Sequence, residues 1–546
     1  MPSAAPLALG LDFGTESVRA LLVDLKGNER GSAVARFRHG QIIEELPGSG
    51  ERLPADFALQ HPQDWIDAAA RAVRAAVRQT KINASRVIGI GVDFTSCTML
   101  PTLSDGTPLC LTKKFAREKF AWPKLWKHHG AVRQTERMNA VANRRKEKWL
   151  DRYGGIIGLE WLFPKILETL EEAPGVYDAA NVWLEAGDWF VWQLVGGDAT
   201  SLPRSTCQAG YKALWNGKDG YPSPAFFKAL DKRMTHVVRD KMPGRMLAPG
   251  EAAGELSAQL AKKLGLPVGI AVSAATIDAH AGVPGAGVAE AGTLVMVLGT
   301  SSCHMLNASS DASIPGVAGI VEGGILPGMF GIETGQAAVG DGFDWLRRLS
   351  GQKDFKQLDR LAAELPPGAD GVLCLDWLNG CRTPLMDGSL RGALTGLSLA
   401  HHPEHLYRAM IEASAFGVRW IVELLEQGGV PVKRLVATGG LPHHNPLLVQ
   451  IYADVLGKQI LVHPSTQGPA LGAAILGVLA AGRRASGFSS AAAAIRAMAR
   501  ADGSTRRRTG KVVKPTRANR KAYDGLYEAY RTLAEQQSRS GVSPLS

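Results

Sequence analysis

The sequence predicts an α/β chain folded into two lobes with a cleft between them. Strand-like runs of nearly unbroken Val and Ile alternate with helical patterns, as in sheets buried on both faces. A chain of 546 residues exceeds what one hydrophobic core organises. The opening stretch LGLDFGTESVRALLVD, residues 9–24, also has a counterpart in LVMVLGTSSCHML, residues 294–306, where Gly14, Thr15 and Ser17 fall on Gly299, Thr300 and Ser302. One hairpin design heads each half.

In chain order, the first hairpin joins two apolar strands through Gly14–Ser17, with Asp12 just before the turn. PQDWIDAAARAVRAAVRQT, 62–80, has helical spacing, and VIGIGVDFTS, 87–96, reads as a buried strand. GIAVSAATID, 269–278, reads as a strand ending in Asp278, and the Gly-rich GVPGAGVAEAG, 282–292, follows as the junction between lobes. The expected domains are therefore 1–287 and 288–546. In the second half, RLVATGG, 434–440, is a strand running into a Gly-Gly turn and a helix starting near Pro446. Residues 520–537 place Tyr523, Leu526, Tyr527, Tyr530 and Leu533 on one helical face, a docking helix.

Composition bounds the rest. Apolar residues make up 45% and charged residues 21%, which fits a globular chain. Most of the formal +11 sits in the basic segment 500–521, which holds nine Lys or Arg against Asp502 and no aromatic residues. A solvated loop is expected there, not a nucleic-acid surface. The six cysteines form no CxxC pair, so neither a zinc site nor a disulfide framework is indicated and a reducing, cytoplasmic setting is expected. The N-terminus lacks a signal-peptide pattern, and the apolar run 469–482 is short of the roughly 20 residues that span a bilayer, so no membrane role is expected.

The hairpins carry the chemistry. A turn of Gly14, Thr15 and Ser17 exposes backbone N–H groups and adds two hydroxyls, which suits phosphate oxygens, and Arg19 adds charge nearby. Asp12 beside a phosphate makes electrostatic sense with Mg²⁺ between them. The second hairpin has Val297 in that place, so only the first retains the acid. No Gly-Lys pair is followed by Ser or Thr and no complete GxGxxG occurs, which excludes a Walker A loop and a dinucleotide fingerprint. Gly439 and Gly440 let a flat ligand approach the backbone, and Asn445 either caps the next helix or contacts a nucleoside. Asp278 at the junction can accept a proton from an attacking hydroxyl. His280, close by, reads as structural.

These motifs, in this order over roughly residues 8–535, resemble the FGGY carbohydrate kinases. The resemblance implies a two-lobed actin and sugar-kinase (ribonuclease H-like) ATPase fold with a central inter-domain cleft. It implies ATP and Mg²⁺ as cofactors, with Gly14, Thr15, Ser17, Arg19, Gly299, Thr300, Gly439, Gly440 and Asn445 at the nucleotide and Asp12 and Asp278 facing the metal. GVDFTSCTMLP (91–101), LWKHH (125–129), RYGG (152–155), AGYKALW (209–215), GIETGQAAVGD (331–341) and LDWLNGCRTPL (375–385) resemble the members that phosphorylate L-ribulose. Other branches carry a Gly-Gln-Met-His-Gly segment or an Arg-Glu pair where this chain has DFTSCT.

By that resemblance Asp278 is the general base on the C5 hydroxyl of L-ribulose, and Lys212 and Glu333 clamp the remaining oxygens. The product is the 5-phosphate, as in L-arabinose catabolism. Ser96 lines the pocket where the family carries Ala, adding a hydroxyl that bears on stereochemical preference. Kinases for D-ribulose, ribitol or D-xylulose, and a non-enzymatic nucleotide switch on the same fold, stay open as alternatives. So does the oligomeric state, a homodimer included.

Overall fold

The computed structural model describes residues 5–80, 83–499 and 510–539. Two seven-stranded sheets organise it. The first holds β1 (Leu7–Phe13), β2 (Ser17–Asp24), β3 (Glu29–Arg36), β4 (Val87–Phe94), β5 (Ala252–Glu255), β6 (Ala271–Ser273) and β7 (Thr276–Ile277). Its order is β3-β2-β1-β4-β6-β5, with β7 also paired to β4. The second holds β8 (Thr293–Leu298), β9 (Ser302–Ala308), β10 (Gly319–Glu322), β11 (Phe330–Gln336), β12 (Arg434–Thr438), β13 (Ile460–Val462) and β14 (Lys511–Val513), in the order β10-β11-β9-β8-β12-β13-β14. The run β3-β2-β1-β4-β6 and the run β11-β9-β8-β12-β13 share one pattern, two antiparallel pairings followed by two parallel ones. The duplication read from two hairpins thus extends across both sheets.

The hairpins differ in register by one residue. Phe13 pairs with Val18 and Leu298 with Ser302. Gly14 N donates to Ser17 O at 3.0 Å, whereas Gly299 N donates to Ser301 O at 3.1 Å. Ser301, not Ser302, therefore stands where Ser17 does; the aligned letters concealed a tighter second turn.

Helix α1 (Pro62–Thr80) packs on the first sheet through Trp65, Ala69, Ala72, Val73 and Ala76, one stripe at helical spacing. Helices α2 (Thr206–Lys212) and α3 (Asp278–Gly285) follow. The expected strand 269–278 is two short strands broken at Ala274–Ala275, and Asp278 opens α3 instead of ending a strand. Part of the Gly-rich junction, Gly282–Gly285, is helical. In the second half, α4 (Pro403–Gln427), α5 (Pro446–Leu456), α6 (Gly468–Ala480) and α7 (Arg517–Arg539) complete the framework. Helix α7 docks on α4, where Tyr523 OH donates to Glu412 and Tyr527 OH to Glu423. Of the basic segment, residues 500–509 lie outside the described residues, and the rest departs from the expected loop, since it holds β14 and the first turn of α7. Among the described residues no helix is long and apolar enough to cross a membrane.

Helix α6 joins the halves. Gly10 of β1 and Gly89 and Gly91 of β4 each face its backbone, and a Cβ on any of them would run into a carbonyl of Ala470, Gly477 or Ala473 respectively. On its other side Gly472 meets the carbonyl of Ala281 in α3. Glycine is required here for backbone-to-backbone approach. Gly472→Ala is expected to lower the thermal midpoint, because overpacking costs about 1–3 kcal/mol and the blocking atom is backbone, although alanine is the better helix former. A higher midpoint in thermal unfolding would contradict this packing.

Candidate active site

The first sheet sets a row of polar residues across the ends of its strands. Asp12 is in register with Arg19 on one side and Asp93 on the other, and Asp93 is in register with Thr276. Paired residues share a sheet face, so Arg19, Asp12, Asp93 and Thr276 line one face, and Asp278 follows two residues after Thr276. Arg19 Nη1 lies 3.7 Å from Asp12 Oδ2, so it faces this acid.

Burial dominates the electrostatics. The Asp278 carboxyl is pushed up to about 7, first by burial and then by the nearby Asp12 and Glu333 carboxylates, against a hydrogen bond from Ala279 N at 2.6 Å. A base titrating near neutrality is poised for proton transfer. Burial also raises Asp12, with Arg19 opposing. Asp93 is held well above the usual carboxylate range by burial and by its neighbours Asp12 and Asp278.

Beside this row lies a buried ion pair. Lys212 Nζ, at the end of α2, donates to Glu333 Oε1 at 2.8 Å and Oε2 at 3.0 Å on β11. The pair spans the two halves. Burial alone would lower Lys212, but the Glu333 carboxylate holds it above its ordinary value; Glu333 in turn sits low, its burial outweighed chiefly by Lys212. His280 Nε2 is 3.4 Å from Glu333 Oε2, and burial pushes the imidazole down to about 4, so it is neutral. Ser96 is half-buried in the turn after β4, next to Cys97 with its φ of 60°. Buried Lys165 pins that turn, donating to Cys97 O at 2.7 Å and Leu125 O at 2.8 Å.

The residues expected at the nucleotide are distributed over both halves. Thr15 Oγ1 accepts from Trp126 Nε1 at 3.1 Å and Thr15 O from Gln60 Nε2 at 2.7 Å, which leaves the Thr15 hydroxyl proton free to donate. Thr300 is exposed, and its carbonyl and that of Gly299 are braced by N–H groups of Val339, Gly340 and Asp341. Gly439 has φ +96° and lies against Leu298 O, so its missing side chain serves the hairpin contact; the open space belongs to Gly440. Asn445 caps α5 through Leu448 N at 2.9 Å, and its Nδ2 donates to Tyr407 OH at 2.9 Å and Asp359 Oδ1 at 3.0 Å. It fills the capping role, and both hydrogens of its amide are used, while Oδ1 accepts one bond.

The structure thus brings Asp12, Asp278, Lys212 and Glu333 to one region and adds Asp93, which sequence reading missed. A signal was there: Gly-Leu-Asp-Phe at 10–13 and Gly-Val-Asp-Phe at 91–94 pair residue for residue, with Phe13 and Phe94 stacked at 4.6 Å. Glu185 was missed as well; burial raises it to about 8 and both its oxygens lack partners. The carboxylate set suits Mg²⁺, a hard cation that takes oxygen ligands, and the partnerless oxygens of buried Asp93 fit a positive charge nearby.

Two family models match the chain, the FGGY carbohydrate kinase N-terminal domain over residues 7–285 and the C-terminal domain over residues 294–481. The ribulokinase of Anoxybacillus flavithermus is 44% identical over 537 residues, covering 96% of this chain and 93% of that one. The ribulokinase of Mycolicibacterium smegmatis is 43% identical over 544 residues, covering 97% and 93%. Among solved structures, a xylulose kinase from Lactobacillus acidophilus superposes with a TM-score of 0.80 at 18% identity, covering 99% of this chain and 100% of that one. One from Rhodospirillum rubrum gives 0.77 at 23%, covering 97% and 98%. At such identities the structural likeness speaks for the fold alone. The matched models, the near full-length relatives and the duplicated sheets agree: the chain belongs to the FGGY family of carbohydrate kinases.

Proposed function

We propose that this chain transfers the γ-phosphoryl group of ATP to the C5 hydroxyl of L-ribulose, giving L-ribulose 5-phosphate, as a step in L-arabinose use. The observation that carries this reading is the half-buried Asp278 carboxyl, pushed up to about 7, in the same region as the pair Lys212–Glu333 that links the two halves. Near full-length relatives with ribulokinase activity in their names support the choice of sugar.

In this reading Asp278 accepts the proton as the C5 oxygen attacks. Lys212 donates to the sugar oxygens while Glu333 accepts from a hydroxyl, and Ser96 offers a further hydroxyl. The Gly14–Ser17 and Gly299–Thr300 turns present N–H and O–H donors to the phosphates from the two halves. Asp12 and Asp278 would hold Mg²⁺, which neutralises charge developing on the phosphates when bound. Closure of the halves about the α6 contacts would exclude water in favour of the sugar hydroxyl. The free thiols of all six cysteines fit a reducing cytosol.

A coupled ATP assay across L-ribulose, D-ribulose, ribitol and D-xylulose tests the sugar. The highest kcat/KM is expected with L-ribulose; preference for any of the other three would reassign the substrate.

A further inference from the structure

Asp93 has no place in the reaction as described above, yet its setting demands a partner. It is fully buried on β4, and neither carboxylate oxygen meets a donor group other than the neighbouring Asp12 carboxyl. It pairs in register with Asp12 across neighbouring parallel strands, so the two acids lie on the same face. Neighbouring strands are about 4.8 Å apart, which puts two carboxylates side by side with little water between them. Arg19 does not resolve this. It stands on the far side of Asp12, its guanidinium is 3.7 Å from that acid, and a third of its side chain is exposed. A buried carboxylate without a partner costs several kcal/mol unless a charge answers it.

We infer that Asp93 is a third carboxylate facing the divalent ion that accompanies ATP, beside Asp278, and that it holds the ion with Asp12 directly or through its waters. Two carboxylates with retained waters are the usual protein share of a Mg²⁺ site. The paired Gly-x-Asp-Phe strands account for how the acids come to lie level: Gly10 and Gly91, two residues earlier on the same face, let α6 press flat against both strands. This inference rests on the placement of the cation at Asp12.

The test is Mn²⁺ binding to the full chain, followed by water-proton relaxation with and without a non-hydrolysable ATP analogue. Asp93→Asn is expected to weaken Mn²⁺ binding by about 10–100-fold with no fall in the thermal midpoint, since asparagine keeps the shape of the side chain and leaves no charge to bury. Unchanged Mn²⁺ affinity in a folded Asp93→Asn protein would overturn the inference. Asp12→Asn is the control: full affinity there overturns the placement at Asp12 and this inference with it, whereas weakened binding there beside unchanged binding in Asp93→Asn removes Asp93 alone. Should Asp93→Asn not fold, Fe²⁺-directed cleavage of the unaltered chain decides. Backbone cuts near both residue 12 and residue 93 are expected, and cuts near 12 and 278 without 93 would refute it.

Discussion

Asp278→Asn is expected to lower kcat for the sugar by about 10²–10⁴-fold, the usual contribution of a positioned general base, while ATP affinity stays as in the unaltered chain. Asparagine keeps the oxygen that accepts from Ala279 N, so the start of α3 should hold. The native carboxyl is already pushed up to about 7 by burial and by Asp12 and Glu333, so losing its charge relieves repulsion and the thermal midpoint should not fall. Steady-state kinetics with nucleotide binding by calorimetry checks both halves of this result. Turnover equal to that of the unaltered enzyme would remove Asp278 from the role of base.

Lys212→Met is expected to act on both stability and sugar binding. It strands the Glu333 carboxylate, 4% exposed, with neutral His280 at 3.4 Å and the weaker pull of Arg382 left to answer it. Breaking a buried pair from one side costs about 3–5 kcal/mol, so a clear drop in thermal midpoint follows. Replacing both partners, Lys212→Met with Glu333→Leu, should restore much of that stability, because no buried charge is left behind. Sugar binding should not return. The KM for L-ribulose is expected to rise by about 10-fold or more in the single variant, a hydrogen bond to a charged group being worth about 1.5–3 kcal/mol, with the KM for ATP little changed. A sugar KM equal to that of the unaltered enzyme would remove the pair from the pocket.

What could be read from the residues divides by distance along the chain. The hairpins, the alternation of strands and helices, and the docking face of α7 all depend on local period, and local period is visible in letters. The junction misled for a tertiary reason: Gly282, Pro284 and Gly285 read as helix breakers, but α3 packs backbone to backbone against α6, with Gly285 on the Gly468 carbonyl and Gly472 on that of Ala281. Asn445 was ambiguous because its partners Tyr407 and Asp359 lie far off in sequence. The buried Lys165 that pins the Ser96 turn was illegible for the same reason. Asp93 is a different case. The repeated Gly-x-Asp-Phe was visible, but only strand pairing gave it meaning.

The position that receives the phosphoryl group is the most direct test. Incubation with ATP, Mg²⁺ and L-ribulose labelled with ¹³C at C5, followed by ¹³C and ³¹P NMR of the product, reads that position. A phosphorus-split C5 resonance, with one ADP formed per sugar consumed, is the predicted result. Phosphate on another carbon, or ATP turnover without phosphorylated sugar, would contradict it.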